Sequence, residues 1–417
     1  MVWLQKSNLR CVITLTDEIF LSLKNLDGYE IINMETCTRC GACANSCPAY
    51  IATKDNHAIP AWKGIEFRRL FNRQRGSLSA ILGQRPVPRG WLRNISDRGL
   101  YLCSLCGRCM PGCVFTIQNL ELWEKLRSII FEAKEVSPNL MRVSESLEQK
   151  LNPYDYDPAE RTSWVKELGP VDVKIGQKAE TLYFVGCTSA YQEKKIASST
   201  ANILNKMNED WSIFGLDEWC CGDPHIAVGD QDKARDYAQH NIEVASSLGA
   251  KRIITSCAHC YRMWQWKYPQ LLGKRNDIEV LHITQYLKDC LESDRLRLEG
   301  VSGKLTYHDP CYLSRLGGIV NEPRSVISKA ATNFVEMKER TFDTYCCGGG
   351  GMTEFVNKDL WTKIGDERFR QAKKTDPELL VSACPFCHRS LTQAAQRSSS
   401  NIQILDIAEL VAKQLKD

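Results

Sequence analysis

The feature that most constrains this chain is the arrangement of its cysteines. Twenty of the 417 residues are cysteine, and most of them lie in tight clusters, often as C-x-x-C. A disulfide between cysteines three positions apart closes a loop too short to add much stability, whereas the same spacing suits ligands of one metal site. The pattern therefore predicts metal ligation in a reducing, anoxic cytoplasm rather than a disulfide framework.

Two clusters near the N-terminus share the spacing C-x2-C-x2-C-x3-C of bacterial ferredoxins, in which three cysteines hold one [4Fe-4S] cube and the fourth reaches the other cube. The spacing predicts one cubane on Cys37, Cys40, Cys43 and Cys113. It predicts a second cubane on Cys103, Cys106, Cys109 and Cys47. A zinc ribbon is the competing interpretation, but zinc ribbons use two separate C-x-x-C pairs, not four cysteines in eleven residues.

The 55 residues between these two motifs have helical patterning, with apolar side chains at Ile65, Phe67, Leu70 and Phe71. We therefore expect a mostly helical, ferredoxin-like domain over residues 34–120. An N-terminal extension (1–33) precedes it, and a linker or helical segment (121–178) follows it.

The rest of the chain contains a five-cysteine pattern twice, about 125 residues apart. The first copy consists of Cys187, Cys220, Cys221, Cys257 and Cys260. The second copy consists of Cys311, Cys346, Cys347, Cys384 and Cys387. A repeat with five matched cysteines predicts two homologous domains, at 179–300 and 301–417.

Each copy is predicted to be an α/β lobe. Short apolar runs such as 181–186 end at a cysteine and are typical of buried parallel strands, whose carboxyl ends carry the ligand sites of open α/β sheets. The glycine run 348–351 is expected to let the backbone fold closely around an inorganic core. The predicted fold class is thus mixed α+β and α/β, a helical domain followed by two homologous α/β lobes. Cys11 and Cys290 belong to no set and are predicted to be small buried side chains.

The doubled pattern resembles the cysteine-rich CCG domain of heterodisulfide reductases. In that family the two-ferredoxin part and the double CCG part occur as separate C and B subunits or are fused in a D subunit, and this chain resembles the fused form from about residue 34 to 400. The resemblance implies that each five-cysteine set holds a noncubane [4Fe-4S] cluster. The chain departs from the family pattern in two places. The gap before C-x-x-C is longer in the second copy than in the pattern, and the first copy continues its Cys-Cys-Gly with Asp.

The resemblance implies an iron–sulfur oxidoreductase subunit that passes electrons through the two cubanes to the noncubane clusters, where a disulfide/thiol couple reacts. His259, inside C-A-H-C, is the candidate catalytic proton donor. The alternative is a pure electron-transfer subunit with no substrate of its own. It would serve a flavin-linked dehydrogenase such as glycolate or lactate oxidase, a quinone-linked complex of sulfate reducers, or a benzoyl-CoA reductase complex.

Missing motifs indicate a dependence on partners. No G-x-G-x-x-G follows a strand, so we expect no flavin or NAD in this chain. Electrons would come from a flavoprotein like the one in heterodisulfide reductases (their A subunit), a dehydrogenase, or a membrane cytochrome or quinone subunit. The net charge of +4 argues against a nucleic-acid binder. The longest run without Asp, Glu, Lys or Arg has 14 residues, too few to span a bilayer, so we expect a cytoplasmic protein, or one held at the membrane face by a partner.

Overall fold

The computed structural model describes residues 17–23, 26–167 and 172–415. Cys11 and half of the predicted N-terminal extension lie outside these ranges. The other cysteine outside the sets, Cys290, is fully buried in a helix of the first lobe.

The region with the two ferredoxin-like motifs is almost entirely helical where the structure describes it. One short antiparallel pair joins β1 (Glu18–Ile19) to β2 (Val87–Pro88). Helices α1 to α8 are Gly28–Glu35, Ala42–Ser46, Pro48–Thr53, Pro60–Arg75, Ser77–Leu82, Arg89–Ile95, Asn119–Glu132 and Pro138–Lys150. Proline begins α3, α4 and α8, a position where its missing N–H costs no helical hydrogen bond. The predicted mostly helical N-terminal domain is confirmed.

The first lobe is a four-stranded parallel sheet with helices around it. Its strands β3 to β6 are Thr181–Tyr183, Trp211–Ile213, Arg252–Thr255 and Glu279–His282, in the order β4-β3-β5-β6. Helices α9 to α16 are Ser163–Glu167, Cys187–Tyr191, Lys194–Lys206, Asp223–Val228, Gln231–Ser247, Ala258–Arg262, Tyr268–Leu272 and Ile283–Glu292.

The second lobe repeats this arrangement. Its strands β7 to β10 are Val301–His308, Ala331–Phe334, Leu379–Ser382 and Gln403–Asp406, in the order β10-β9-β7-β8. Helices α17 to α21 are Asn321–Ala330, Thr353–Val356, Lys358–Lys373, Pro385–Arg397 and Ile407–Ala412. In each lobe the strand order is second, first, third, fourth, and all pairs are parallel.

This shared topology positions the cysteines. In both lobes the first cysteine follows the first strand and the C-x-x-C follows the third strand, which lies beside it. Neighbouring parallel strands end at the same edge of a sheet, so these cysteines meet there. The predicted α/β fold and its duplication are confirmed, whereas the exact domain boundaries stay predictions.

The helical domain docks on both lobes through buried hydrogen bonds. The Tyr101 hydroxyl donates to the carbonyl of Val228 at 2.6 Å, in the first lobe. The Tyr345 hydroxyl of the second lobe donates to the carbonyl of Pro48 at 3.3 Å. One continuous apolar core runs through all three units. Within the described ranges, no helix is both long and apolar enough for a membrane span.

Candidate metal centres

The two ferredoxin-like loops adopt the same backbone conformation. Arg39 and Gly41 in the first loop have φ of 62° and 80°, and Leu105 and Gly107 in the second have φ of 51° and 69°. Such left-handed residues turn successive backbone N–H groups toward the inside of a loop, where they can face an anionic core. The repeated spacing thus folds into a repeated cradle.

The first predicted set lies close to the protein surface. Burial and the neighbouring charges of Cys37, Cys47 and Cys113 raise the pKa of Cys43 to about 11. Cys113, which is distant in sequence, is therefore beside the first loop, as the ferredoxin pattern predicts. Cys40 is exposed, so this set is the one nearest to solvent.

The second predicted set lines one small cavity. Its walls include all four cysteines together with Lys63 and Trp123: Cys47, Cys103, Cys106 and Cys109. Burial raises the pKa of Cys47 to about 11, although the Lys63 ammonium opposes the rise. A free thiol there would stay protonated at pH 7, whereas a bound cation would hold it as thiolate. The four thiols around this cavity are a donor set that fits an iron–sulfur cluster.

Each lobe joins its five cysteines into a run of side-chain contacts. In the first lobe the run is Cys187, Cys220, Cys221, Cys260, Cys257. In the second lobe it is Cys311, Cys346, Cys347, Cys387, Cys384. All ten side chains are buried and none is in a disulfide. Five buried thiols in contact are a donor set that suits thiophilic metal and no other ordinary structural role.

The turn after the paired cysteines supplies hydrogen-bond donors to sulfur in the second lobe. The backbone N–H of Gly348 donates to the Sγ of Cys346 at 3.2 Å, and that of Gly349 donates to the Sγ of Cys347 at 3.4 Å. Backbone donors of this kind stabilise thiolate and tune the potential of a cluster.

The remainder of the glycine run has a different role from the one expected. A Cβ at Gly350 would lie 2.5 Å from the carbonyl oxygen of Ser104, and one at Gly351 would lie 2.4 Å from that of Cys103. These two glycines therefore allow the second lobe to approach the second ferredoxin loop. The first copy continues with Asp223 after its Cys-Cys-Gly instead of with glycines.

Two further sulfur contacts connect the sets. The side chain of Cys106 in the second ferredoxin loop lies beside that of Cys346 in the second lobe, close enough for each thiol to shift the pKa of the other. The side chain of Cys384 in the second lobe lies in the same way beside that of Cys257 in the first lobe. The four sets therefore form a row: first loop, second loop, second lobe, first lobe.

His259, the predicted catalytic residue, lies where the two lobes meet. Its Nδ1 is 2.8 Å from Oδ2 of Asp223, and its ring stacks on Tyr312 with centroids 4.0 Å apart. Burial alone would lower the pKa of His259, but the Asp223 carboxylate outweighs it and raises the pKa above its ordinary value. The geometry gives this histidine a partner that the sequence reasoning missed, and its catalytic role stays a prediction.

Arg161 is a second residue that sequence reasoning missed. Its guanidinium donates to Oε1 of Glu218 at 2.7 Å and to the Sγ of Cys187 at 3.5 Å, with both charged groups fully buried. Glu218 also accepts the backbone N–H groups of Val185 and Gly186. The pair fixes the turn that ends in Cys187, and nothing in the local sequence around Arg161 signals this contact.

The turn before Cys187 gives a testable requirement for the first-lobe site. Gly186 has φ of +75°, and a Cβ there would lie 2.9 Å from the Sγ of Cys260. We expect Gly186→Ala to lose the iron of this site, about a quarter of the total, in an iron assay of anaerobically purified protein. Gly249→Ala is the control, because Gly249 has φ of +76° but nothing within 4 Å of the added Cβ. Equal iron in both variants would contradict the proposed packing around Cys260.

The family models match the three units of the chain. A 4Fe-4S dicluster domain matches residues 33–117, and a cysteine-rich domain named CCG matches residues 181–265 and 305–392. Among solved structures, a hypothetical protein from Helicobacter pylori covers 94% of this chain and 74% of its own, with a TM-score of 0.57 and 10% identity. That likeness supports the fold alone.

Curated relatives cover the chain nearly end to end. The D subunit of the dihydromethanophenazine:CoB–CoM heterodisulfide reductase of Methanosarcina barkeri is 36% identical over 403 residues, which are 95% of this chain and 97% of the relative. The EtfAB:quinone oxidoreductase of Syntrophomonas wolfei is 24% identical, over 99% of this chain and 63% of the relative. With the dicluster domain, the doubled CCG domain and this identity in agreement, the chain belongs to the iron–sulfur oxidoreductase family of the heterodisulfide reductase D subunits.

Proposed function

We propose that this chain carries four iron–sulfur clusters in a row and reduces a disulfide to two thiols at the end of the row. The two ferredoxin-like sets hold cubane [4Fe-4S] clusters, and the two CCG sets hold noncubane [4Fe-4S] clusters. The observation that supports the proposal is the pair of contacts Cys106–Cys346 and Cys257–Cys384, because they join the second ferredoxin loop, the second lobe and the first lobe in that order.

The chemistry requires two electrons and two protons for each disulfide. When bound, the clusters supply the one-electron steps that protein side chains cannot perform. Asp223 accepts from Nδ1 of His259 and stabilises the protonated ring, which suits Nε2 to deliver a proton to a departing thiolate.

A surface cleft supports access to the first-lobe site. The cleft has a volume of about 640 Å³, and its lining includes Tyr154, Gln192 and Arg389. The Tyr154 hydroxyl is 2.9 Å from Oγ1 of Thr188, the residue after Cys187. A small disulfide in this cleft would therefore be separated from Cys187 by the side chain of Tyr154 and by Thr188.

The electrons come from another protein. The first set, with Cys40 at the surface, is the natural place for them to enter. We propose a flavoprotein like the A subunit of heterodisulfide reductases, a dehydrogenase, or a membrane cytochrome or quinone subunit as the donor. The relatives named as subunits of a reductase support a multi-subunit complex, and the chain itself would need no flavin or NAD.

The second candidate function is a pure electron-transfer subunit without its own substrate. The burial of the ten lobe cysteines favours it, as does the relative named as an EtfAB:quinone oxidoreductase. In that case electrons would leave from the lobes to another protein instead of to a disulfide.

The deciding experiment is an iron assay with EPR on anaerobically purified protein, titrated with thiols under mild oxidation. Four clusters predict about 16 irons per chain. Disulfide reduction predicts a new paramagnetic signal on thiol addition. The same iron content without any thiol response would favour the pure electron-transfer function, and iron far below this level would reject the four-cluster row.

The proposed row also predicts the effect of removing the cluster on the second ferredoxin loop. We expect Cys106→Ala to lose about four irons and to stop electrons that enter at the first set from reaching the lobe clusters. The lobe clusters should keep their own EPR signals. Cys290→Ala is the matched control, because Cys290 is also buried and belongs to no set. Rapid-freeze EPR after reduction by the electron-donating partner measures the transfer, and unimpaired transfer in Cys106→Ala would contradict the row.

A further inference from the structure

His308 distinguishes the second lobe from the first. It ends β7, three residues before Cys311, and is fully buried. The corresponding residue of the first lobe, three before Cys187, is Phe184. The two lobes therefore place a hydrogen-bonding ring and an apolar ring at equivalent positions beside their cysteines.

One nitrogen of this histidine is already occupied. Arg368 on α19 donates from Nε to Nδ1 of His308 at 2.9 Å. Arg368 is itself fully buried and held by the carbonyl of Glu339 at 2.9 Å and Oε1 of Gln371 at 2.8 Å. A guanidinium has donors and no acceptor, so Nδ1 must accept. The ring is then neutral with its proton on Nε2.

The other ring nitrogen of His308, Nε2, is buried and has no hydrogen-bond partner among the described residues. A ring nitrogen of His308 and the Sγ atoms of Cys347 and Cys387 all lie within 4.8 Å of one another, and those two sulfurs are 3.2 Å apart. A buried N–H without an acceptor is destabilising by about 1–3 kcal/mol, and sulfur is the acceptor at hand.

We propose that His308 is a hydrogen-bond donor, through Nε2–H, to a sulfur of the cluster at the second-lobe site. The inference rests on the proposed cluster there and assigns His308 as a positioning residue that Arg368 holds in one tautomer. The hydrogen bond from Arg368 also argues against His308 as a ligand, because the protonated Nε2 has no free lone pair for iron.

The hydrogen bond has a consequence for electron flow. A donor to sulfur stabilises the reduced, more negative cluster and raises its reduction potential. The second-lobe site follows the ferredoxin loops in the row, through Cys106 and Cys346. A raised potential there favours acceptance of electrons from the helical domain.

The test compares His308→Phe with His308→Gln in full-length protein loaded with clusters. His308→Phe installs the residue of the first lobe and removes the donor, whereas a glutamine amide can both accept from Arg368 and donate to sulfur. In EPR-monitored redox titrations we expect the reduced-to-oxidised ratio of the second-lobe cluster, at a fixed potential, to fall about tenfold in His308→Phe. We expect His308→Gln to remain within about threefold of the parent.

A spectroscopic readout separates the donor from a ligand. With ¹⁵N-labelled histidine, pulsed EPR of the second-lobe cluster should detect a weak nitrogen coupling that disappears in His308→Phe. A strong coupling would identify His308 as a ligand and overturn the proposal. An unchanged potential in His308→Phe with full iron would overturn it too. Loss of iron in both variants would contradict a role limited to hydrogen bonding, because His308→Gln keeps a donor to sulfur. These readouts do not depend on disulfide turnover, so failure of the proposed activity remains distinguishable.

Discussion

Replacement of Arg127 by methionine is expected to lower the free energy of unfolding by more than about 3 kcal/mol, since it leaves several buried carbonyls without a donor. Arg127 lies on α7 and is fully buried. Its guanidinium donates to four carbonyl oxygens, those of Leu100, Cys103, Ala227 and Gly351, at 3.1, 2.7, 2.6 and 3.2 Å. Each carbonyl that loses its donor is destabilised by about 1–3 kcal/mol.

The position of these carbonyls makes the effect global. Leu100 and Cys103 belong to the helical domain, Ala227 to the first lobe and Gly351 to the second lobe. No carboxylate pairs with Arg127 in the described part of the chain, so one cation joins the three units through backbone dipoles alone. Its ring partner is Tyr101, 4.7 Å away. We expect the helical domain and the two lobes to lose their docking, and not only α7 to lose stability.

This effect can be measured by urea unfolding under anaerobic conditions. Hydrogen exchange of the segments around Arg127, where the helical domain meets both lobes, measures it locally. Arg370→Met is the matched control, because Arg370 is exposed and pairs with Glu367 one turn away on its own helix. Such an exposed pair contributes only about 0.3–0.5 kcal/mol. A stability loss in Arg127→Met no larger than that of the control would contradict the proposed role of Arg127.

The cysteine spacing predicted the duplication and the grouping of the cysteines into four sets, and the apolar patterning between the cysteines predicted the fold class. Ligand spacing is a local property, and both the ferredoxin loops and the CCG turns are built from residues close in sequence. Even the crossover of Cys47 and Cys113 follows from the pattern. The structure places these residues together as that pattern predicts, and cluster ligation itself stays a prediction.

The contacts between the units could not be predicted in this way. Cys106 meets Cys346 only because the helical domain docks on the second lobe, and no periodicity in either segment encodes that docking. The burial of three arginines could not be predicted from the sequence either. Arg127, Arg161 and Arg368 occur in ordinary mixed sequence and are buried by residues that are distant along the chain. The Asp after the first Cys-Cys-Gly was a visible departure between the copies, and it is the residue that holds His259.

The second large effect concerns Glu124, whose carboxylate is buried between two cations. It accepts from Nη2 of Arg262 at 2.8 Å and is also paired with Lys267, so that α7 of the helical domain is tied to the first lobe. Burial by itself would raise the pKa of Glu124, but the charges of Lys267 and Arg262 outweigh it and lower the pKa to about 2. We expect Glu124→Gln to lower the free energy of unfolding at pH 7 by about 3 kcal/mol, because it leaves two buried cations without an anion.

The lowered pKa fixes the direction of the pH dependence. The ordinary value is 4.5, so the folded state binds the proton less tightly than the unfolded state. The stabilisation by ionised Glu124 is therefore complete above about pH 4.5 and is lost as the pH falls from there toward 2. The parent protein should lose stability over this window, whereas Glu124→Gln should start lower and show a flatter profile.

Hydrogen exchange of α7 and α14 after brief acid pulses can measure both effects before the clusters are lost. Glu292→Gln serves as the control, since Glu292 is exposed and forms an i, i+4 pair with Lys288. That variant should match the parent within about 0.5 kcal/mol and keep its pH profile. If Glu124→Gln showed the same acid sensitivity as the parent, the pKa of Glu124 would have to be the same in the folded and unfolded states. The two buried cations would then stabilise the interface by contacts that do not depend on its charge.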